Sequence, residues 1–151
     1  MNNLKKQFQF MRESLLKEIE WINPEIFDIQ PNGFNNTIHW HIGHVLSAAE
    51  IFLLGYPETG HLPAHYGKLF GYGSKPADWQ GDVPSVEVLT QQLQEQLTRI
   101  LEIPEERFNE KLAKSFMAFE TVSEITGFTI FHESNHLGQI HAMKRVIEAA
   151  K

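Results

Sequence analysis

Apolar residues recur at three- and four-residue steps in four long stretches, and no stretch alternates over a strand-like length. In the first, Leu4, Phe8, Met11, Leu15, Ile19 and Ile22 form one stripe. Lys5, Lys6, Arg12, Glu13, Lys17 and Glu20 take the other side, and Asn23-Pro24 ends the pattern. Thr37 can cap a second helix that runs to about Tyr56, with Ile38, Ile42, Val45, Ala49 and Phe52 at the centre of a wide apolar arc. Ser85 can cap a third, whose seam is Val86, Leu89, Leu93, Leu97 and Ile100 and which Pro104 closes. Thr121-Val-Ser-Glu124 reads as a capping box that opens a fourth, reaching Ala149.

The connections are unequal. Pro57 to Pro84 mixes five glycines with Tyr66, Phe70, Tyr72 and Trp79, and such a long link inside a compact domain is usually functional or a crossover. A short turn over His65 to Phe70 is expected there, with the aromatics lining a site. Glu105 to Ala113 predicts a weak short helix, followed by an aromatic connector from Phe116 to Phe119. Four long amphipathic segments without strands predict an all-α protein, a four-helix bundle forming one domain over residues 1–151. The long second link allows the second and third helices to run parallel.

Composition narrows the chemistry. The chain has no Cys, so thiolate metal sites, disulfides and Cys nucleophiles are excluded. Thirteen Lys and Arg against nineteen Asp and Glu give a net charge of −6 with no basic run, which argues against a nucleic-acid surface. No run approaches the roughly 18 apolar residues of a membrane span, and the N-terminal stretch lacks a signal-peptide core, so a cytoplasmic location is expected.

The residues that most need a chemical explanation are His132 and His136. Spaced i and i+4, they lie on one helical face with Ile125, Phe128, Gln139, Ile140, Met143, Val146 and Ile147, inside the apolar seam. Buried imidazoles need partners, and a metal ion satisfies one nitrogen of each. The bland alternative is a pair of core histidines bonded to side chains or water. A third ligand has to come from elsewhere, and the second helix offers His39, His41 and His44. Periodicity puts His39 on the polar side, His41 near the apolar centre and His44 toward its edge, a slight preference for His41.

Trp40-His-Ile-Gly-His44-Val-Leu on the second helix and His132-Glu-Ser-Asn-His136-Leu-Gly-Gln-Ile on the fourth resemble the DinB-like superfamily. The resemblance spans the chain and implies a four-helix bundle of up-down-down-up topology, usually a homodimer. It also implies one divalent metal ion, nickel or zinc, held by His44, His132 and His136. The helix faces keep His41 in play as an outer or substitute ligand. Asn135 departs from the aromatic residue often found there, which bears on local packing and not on the ligands. Family members with assigned activity are thiol S-transferases or thiol-dependent isomerases. The implied function is therefore a metal-dependent enzyme joining a low-molecular-weight thiol to a small-molecule electrophile. The alternative is a bundle that binds metal or a small ligand without turnover.

Two other motifs share these residues. His132-Glu133-x-x-His136 also spells the zincin protease signature, with Glu133 as general base, but Gly138 and His141 fall one residue too early for the metzincin extension and His141 faces away. Glu133-x-x-His136 is half of a di-iron motif whose second copy, Glu58-Thr-Gly-His61, lies in a loop. Glu133 itself reads either as an outer acceptor for a ligating histidine or as a partly exposed helix carboxylate. His61 and His65 read as solvated loop residues, and His141 as a surface one.

Overall fold

The four amphipathic segments all fold as helices. The computed structural model describes residues 2–150. Its long helices are α1 (Asn3–Glu20), α2 (Ile38–Leu54), α4 (Val86–Leu101) and α5 (Val122–Ala149), with a single turn-and-a-half, α3 (Tyr66–Phe70), in the long connection. Side chains cap them where the sequence places caps: Thr37 Oγ1 accepts from Trp40 N at 3.1 Å, Ser85 Oγ from Val88 N at 3.2 Å, and Thr121 Oγ1 from Glu124 N at 3.1 Å. Gly55, at φ +78°, ends α2 in the left-handed conformation that glycine adopts without steric cost.

Cross-helix pairs give the relative directions. His41 meets His136 and His44 meets His132, so α2 and α5 run antiparallel. Arg12 meets Glu133 and Glu18 meets His141, so α1 and α5 run parallel. His39 reaches Pro84 and Glu50 reaches Arg99, so the long connection returns the chain to start α4 parallel to α2. These directions are consistent with the up-down-down-up expectation. Among the described residues no helix is long and apolar enough to cross a membrane.

Helix α2 is wedged between its neighbours, with every residue from Ile38 to Glu50 buried, which explains its wide apolar arc. The larger core cluster gathers Leu15, Ile19, Ile42, Leu46, Phe70, Leu89, Leu93, Ile140 and Met143. A smaller one joins Phe8, Met11, Ala49 and Ile100 further along.

Three expectations need correction. The short helix expected over 105–113 is confined to Glu105–Asn109, which is a 3-10 helix, and the chain then enters a hairpin of β1 (Lys111–Phe116) and β2 (Phe119–Thr121). Met117 takes φ +53° at the tip, and the ladder is irregular between its end pairs Lys111–Thr121 and Phe116–Phe119. The strand was invisible because five of the six β1 residues are exposed, so no inward–outward alternation marks it. Arg12 and Lys5, assigned to the polar side of α1, are buried at 0% and 6% exposure. Their long stems cross the apolar stripe, and their heads find partners: Arg12 bonds Glu133, and Lys5 lies 3.6 Å from Glu105 and over the Phe108 ring. His39 is likewise buried, tied to Asp28 at 2.9 Å and to the Pro84 carbonyl at 2.8 Å.

Candidate metal centre

The antiparallel contact of α2 and α5 brings His44, His132 and His136 together. One ligand nitrogen from each lies within 4.8 Å of the others. His44 Nε2 and His132 Nε2 are 3.1 Å apart. Two nitrogens held about 2.0–2.1 Å from one tetrahedral ion would stand roughly 3.3 Å apart, so the pair is already near chelating separation.

Two of the three rings are oriented from behind. His44 Nδ1 donates to the Phe70 carbonyl at 2.7 Å, which leaves Nε2 as the bare nitrogen turned to the cluster. Phe70 reaches that position because residue 43 is glycine: a Cβ there would overlap the Phe70 ring. Trp40 stacks on His44 with ring centroids 4.6 Å apart and planes 10° from parallel, and its indole N–H donates to Ser74 Oγ at 2.9 Å. His41 is not in the triad. Its Nδ1 bonds His136 Nδ1 at 2.8 Å, which leaves His136 Nε2 for the cluster. The slight periodicity preference for His41 as the α2 ligand thus gives way to His44, and His41 stands behind His136.

All four imidazoles are held neutral. Burial, then the neighbouring His44, lowers His41 and His132 to about 4. Burial, then His44, His132 and His41, lowers His136 to about 2. Burial lowers His44, with partial relief from the Phe70 hydrogen bond. Neutral imidazole is the form that binds a cation, and a set of neutral donors leaves the ion its full charge. The donor set therefore fits a divalent metal.

The triad forms part of the wall of a cavity of about 1080 Å³. One end is apolar, with Ile51 and Phe52 from α2, Phe128 from α5, and Phe116 and Met117 from the hairpin. The other end is polar, with Asn35, Asn36, Lys75 and Gln139. Phe70 and the fully exposed Tyr72 reach the cavity from the long connection, as expected. Tyr66 instead packs in the core and donates to Gln92 at 3.0 Å.

Glu133 does not line this cavity. It is 1% exposed and faces α1, where Oε2 accepts from Arg12 Nε at 2.7 Å and Oε1 from Arg12 Nη2 at 2.8 Å. It is therefore neither a partly exposed carboxylate nor an acceptor for a ligand imidazole, and the base of a zincin site has no counterpart in the cavity wall. His61, His65 and His141 are exposed, and His141 pairs with Glu18 at 2.8 Å.

The fold and site together define a helical bundle with a tris-histidine cluster able to hold a divalent ion. The sequence profile of the DinB superfamily matches residues 7–140, and the chain belongs to that superfamily. A crystal structure of a conserved protein from Enterococcus faecalis has the same fold at a TM-score of 0.68 and 15% identity, with 98% of this chain and 99% of that one covered. No curated protein matches the sequence.

Proposed function

We propose that this protein is a metal-dependent enzyme that joins a low-molecular-weight thiol to a small electrophile, or isomerises the electrophile through such an adduct. A nickel or zinc ion on His44, His132 and His136 would serve as its centre. The observation that carries this reading is the convergence of three neutral imidazoles on the wall of a large, mostly apolar cavity. A divalent ion held there would supply Lewis acidity and lower the pKa of a coordinated thiol.

The protein's own residues do the rest. The Phe70 carbonyl holds His44 in its Nδ1–H tautomer and Trp40 keeps that ring from rotating, while the hydrogen bond to His41 sets the orientation of the His136 ring. The apolar end excludes water from the electrophile, which strengthens every polar interaction beside it. No carboxylate is among the residues lining the cavity, so a carboxylate-assisted hydrolysis has no residue to perform it. The chain has no Cys, so the sulfur comes from a small molecule. At about 1080 Å³ the cavity stands at the upper end of the roughly 300–1,000 Å³ common for ligand pockets, a size in keeping with a small thiol and a small electrophile together. A cytoplasmic setting, where such thiols stay reduced, and a homodimer complete the proposal.

The test is metal content by mass spectrometry together with thiol conjugation to a model electrophile. The native protein should carry about one divalent ion per chain and turn over, and His136→Ala should lose both. His141→Ala should retain both, since its ring pairs with Glu18 at the surface. A loaded ion without turnover for any thiol would replace the enzyme reading with a metal- or ligand-binding bundle. Equal metal loss in His141→Ala and His136→Ala would overturn the site.

A further inference from the structure

Two residues of the cavity wall carry a polar atom that is covered and has no partner among the described residues: Ser47 Oγ and Asn36 Oδ1. Ser47 is the more telling. A Ser or Thr hydroxyl inside a helix ordinarily closes on the carbonyl one turn back. Ser14, Thr90, Thr126 and Thr129 all do so here, at 2.7–2.8 Å. Ser47, only 1% exposed, makes no such bond. A buried hydroxyl left unpaired costs stability, and groups of this kind persist where a ligand completes them.

Its position assigns it to one end of the cavity. Ser47 lies one turn beyond His44 on the same face of α2 and one turn before Ile51. The helix rise puts Thr37, next to Asn36, about 15 Å away along the axis, so the two unpaired atoms cannot serve the same few-atom ligand. Beyond Ser47 stand Phe52, Phe116 and Phe128, with mutual ring centroid distances of 5.0, 5.5 and 5.6 Å. His132 adjoins this aromatic wall, 6.2 Å from Phe52 and 6.0 Å from Phe128. One hydrogen-bond donor thus stands between a metal-competent triad and a wall of three rings.

We infer that this end is the electrophile subsite, and that it takes a small, flat, apolar molecule bearing one hydrogen-bond-accepting oxygen. The body of the molecule lies against Phe52, Phe116 and Phe128, and its oxygen accepts from the Ser47 hydroxyl, which is covered in this structure and turns about χ1 to meet it. The role of this ligand as electrophile rests on the function proposed above, whereas its binding rests on the cavity alone.

The experiment titrates acetophenone and ethylbenzene, which differ by one carbonyl oxygen in nearly the same shape, into metal-free protein. Binding is read from amide chemical shifts in native, Ser47→Ala and Phe128→Leu proteins. The native protein should prefer the ketone about fivefold, the worth of one net hydrogen bond, with shifts centred on α2 near Phe52 and α5 near Phe128. Ser47→Ala should abolish that preference, hold ethylbenzene within about twofold, and unfold at the same or a higher temperature. Phe128→Leu should weaken both ligands together. Equal native affinities, a preference that survives Ser47→Ala, shifts confined elsewhere, or a lowered unfolding temperature in Ser47→Ala would each overturn the subsite. Because no metal is present, failure here leaves metal loading and thiol conjugation intact, and failure of those leaves the ketone preference intact.

Discussion

Replacing Glu133 by Gln should unfold this protein far more readily than a one-atom change suggests. Arg12 is fully buried and reaches Glu133 through both Nε and Nη2, Gln96 Oε1 at 2.9 Å and the Leu93 carbonyl at 2.8 Å. In Glu133→Gln one acceptor oxygen becomes an NH2 facing a guanidinium N–H, and the cation is left buried without its counter-charge. Breaking one side of a buried ion pair costs about 3–5 kcal/mol. For a chain of this size that lowers the melting temperature by roughly 6–20 °C. Arg12→Met should cost about as much, because it strands the carboxylate instead. The double variant Arg12→Met/Glu133→Gln removes both charges and leaves neutral amides, chiefly Gln96 Oε1, short of a partner, a cost of about 1–3 kcal/mol. The two single costs should therefore exceed the double cost by several kcal/mol. Urea unfolding of the four metal-free proteins, followed by circular dichroism, measures this cycle. A Glu133→Gln cost below about 1 kcal/mol, or a double cost equal to the sum of the singles, would refute the reasoning. Zinc affinity of folded Glu133→Gln should match that of the native protein, since Glu133 bonds no histidine of the site.

Two further outcomes follow from the site. The metal-free protein should lose stability below about pH 6.5: His41 and His132 titrate at about 4 and His136 at about 2 when folded, so the unfolded chain binds more protons through that window. Each histidine removes up to about 1.4 kcal/mol per pH unit, and equal urea midpoints at pH 7.5 and 5 would contradict their burial as neutral rings. Gly43→Ala should cost about 1–3 kcal/mol by pushing Phe70 off α2. By drawing the Phe70 carbonyl away from His44 Nδ1 it should also weaken zinc about 10- to 100-fold in competition with a chromophoric chelator, and an unchanged affinity would deny Phe70 its orienting role.

The helices and the His132–His136 pair were legible because both follow helical period, whereas His44 was implied by the family resemblance. Caps at Thr37, Ser85 and Thr121 and the i, i+4 spacing of His132 and His136 are local signals. The choice of His44 over His41 was not local. Both are buried on α2, and only the partner helix decides that one joins the cluster while the other bonds the back of His136. Arg12 shows the same limit: a charged residue at the edge of an apolar stripe reads as exposed unless its counter-charge, 121 residues away, is known. The hairpin escaped because neither face of β1 is buried, yet it delivers Phe116 and Met117 to the cavity. Ser47 carried a weak signal, one turn from His44, but its missing hydrogen bond exists only in three dimensions.

The polar residues between the two core clusters bear on how the site is built. Arg12 of α1, Glu133 of α5, Gln96 of α4 and Glu50 of α2 form a connected layer across all four long helices: Gln96 Nε2 donates to Glu50 Oε1 at 2.7 Å, and Arg99 grips Glu50 at 2.8 and 3.0 Å. Burial raises the Glu50 carboxyl, but hydrogen bonds from Arg99, Gln96 and the His61 amide, with the Arg99 charge, hold it below its usual value. Leucine and isoleucine faces tolerate sliding, because one apolar contact replaces another at little cost. A buried two-bond ion pair does not, since a slip of even half a helical turn, about 2.7 Å, strands charges in the core. The layer therefore fixes the axial register of α5 against α1, α2 and α4 at the level of Glu133. His132 and His136 flank that residue on α5, and their fit to His44 depends on the same register. The contacts of His136 with His41 and of His141 with Glu18 hold α5 in the same register beyond this layer, so loss of the pair should reach the metal centre through the unfolding equilibrium and leave affinity in the folded fraction unchanged, whereas a residue touching a ligand ring, such as Phe70 or His41, acts on affinity directly.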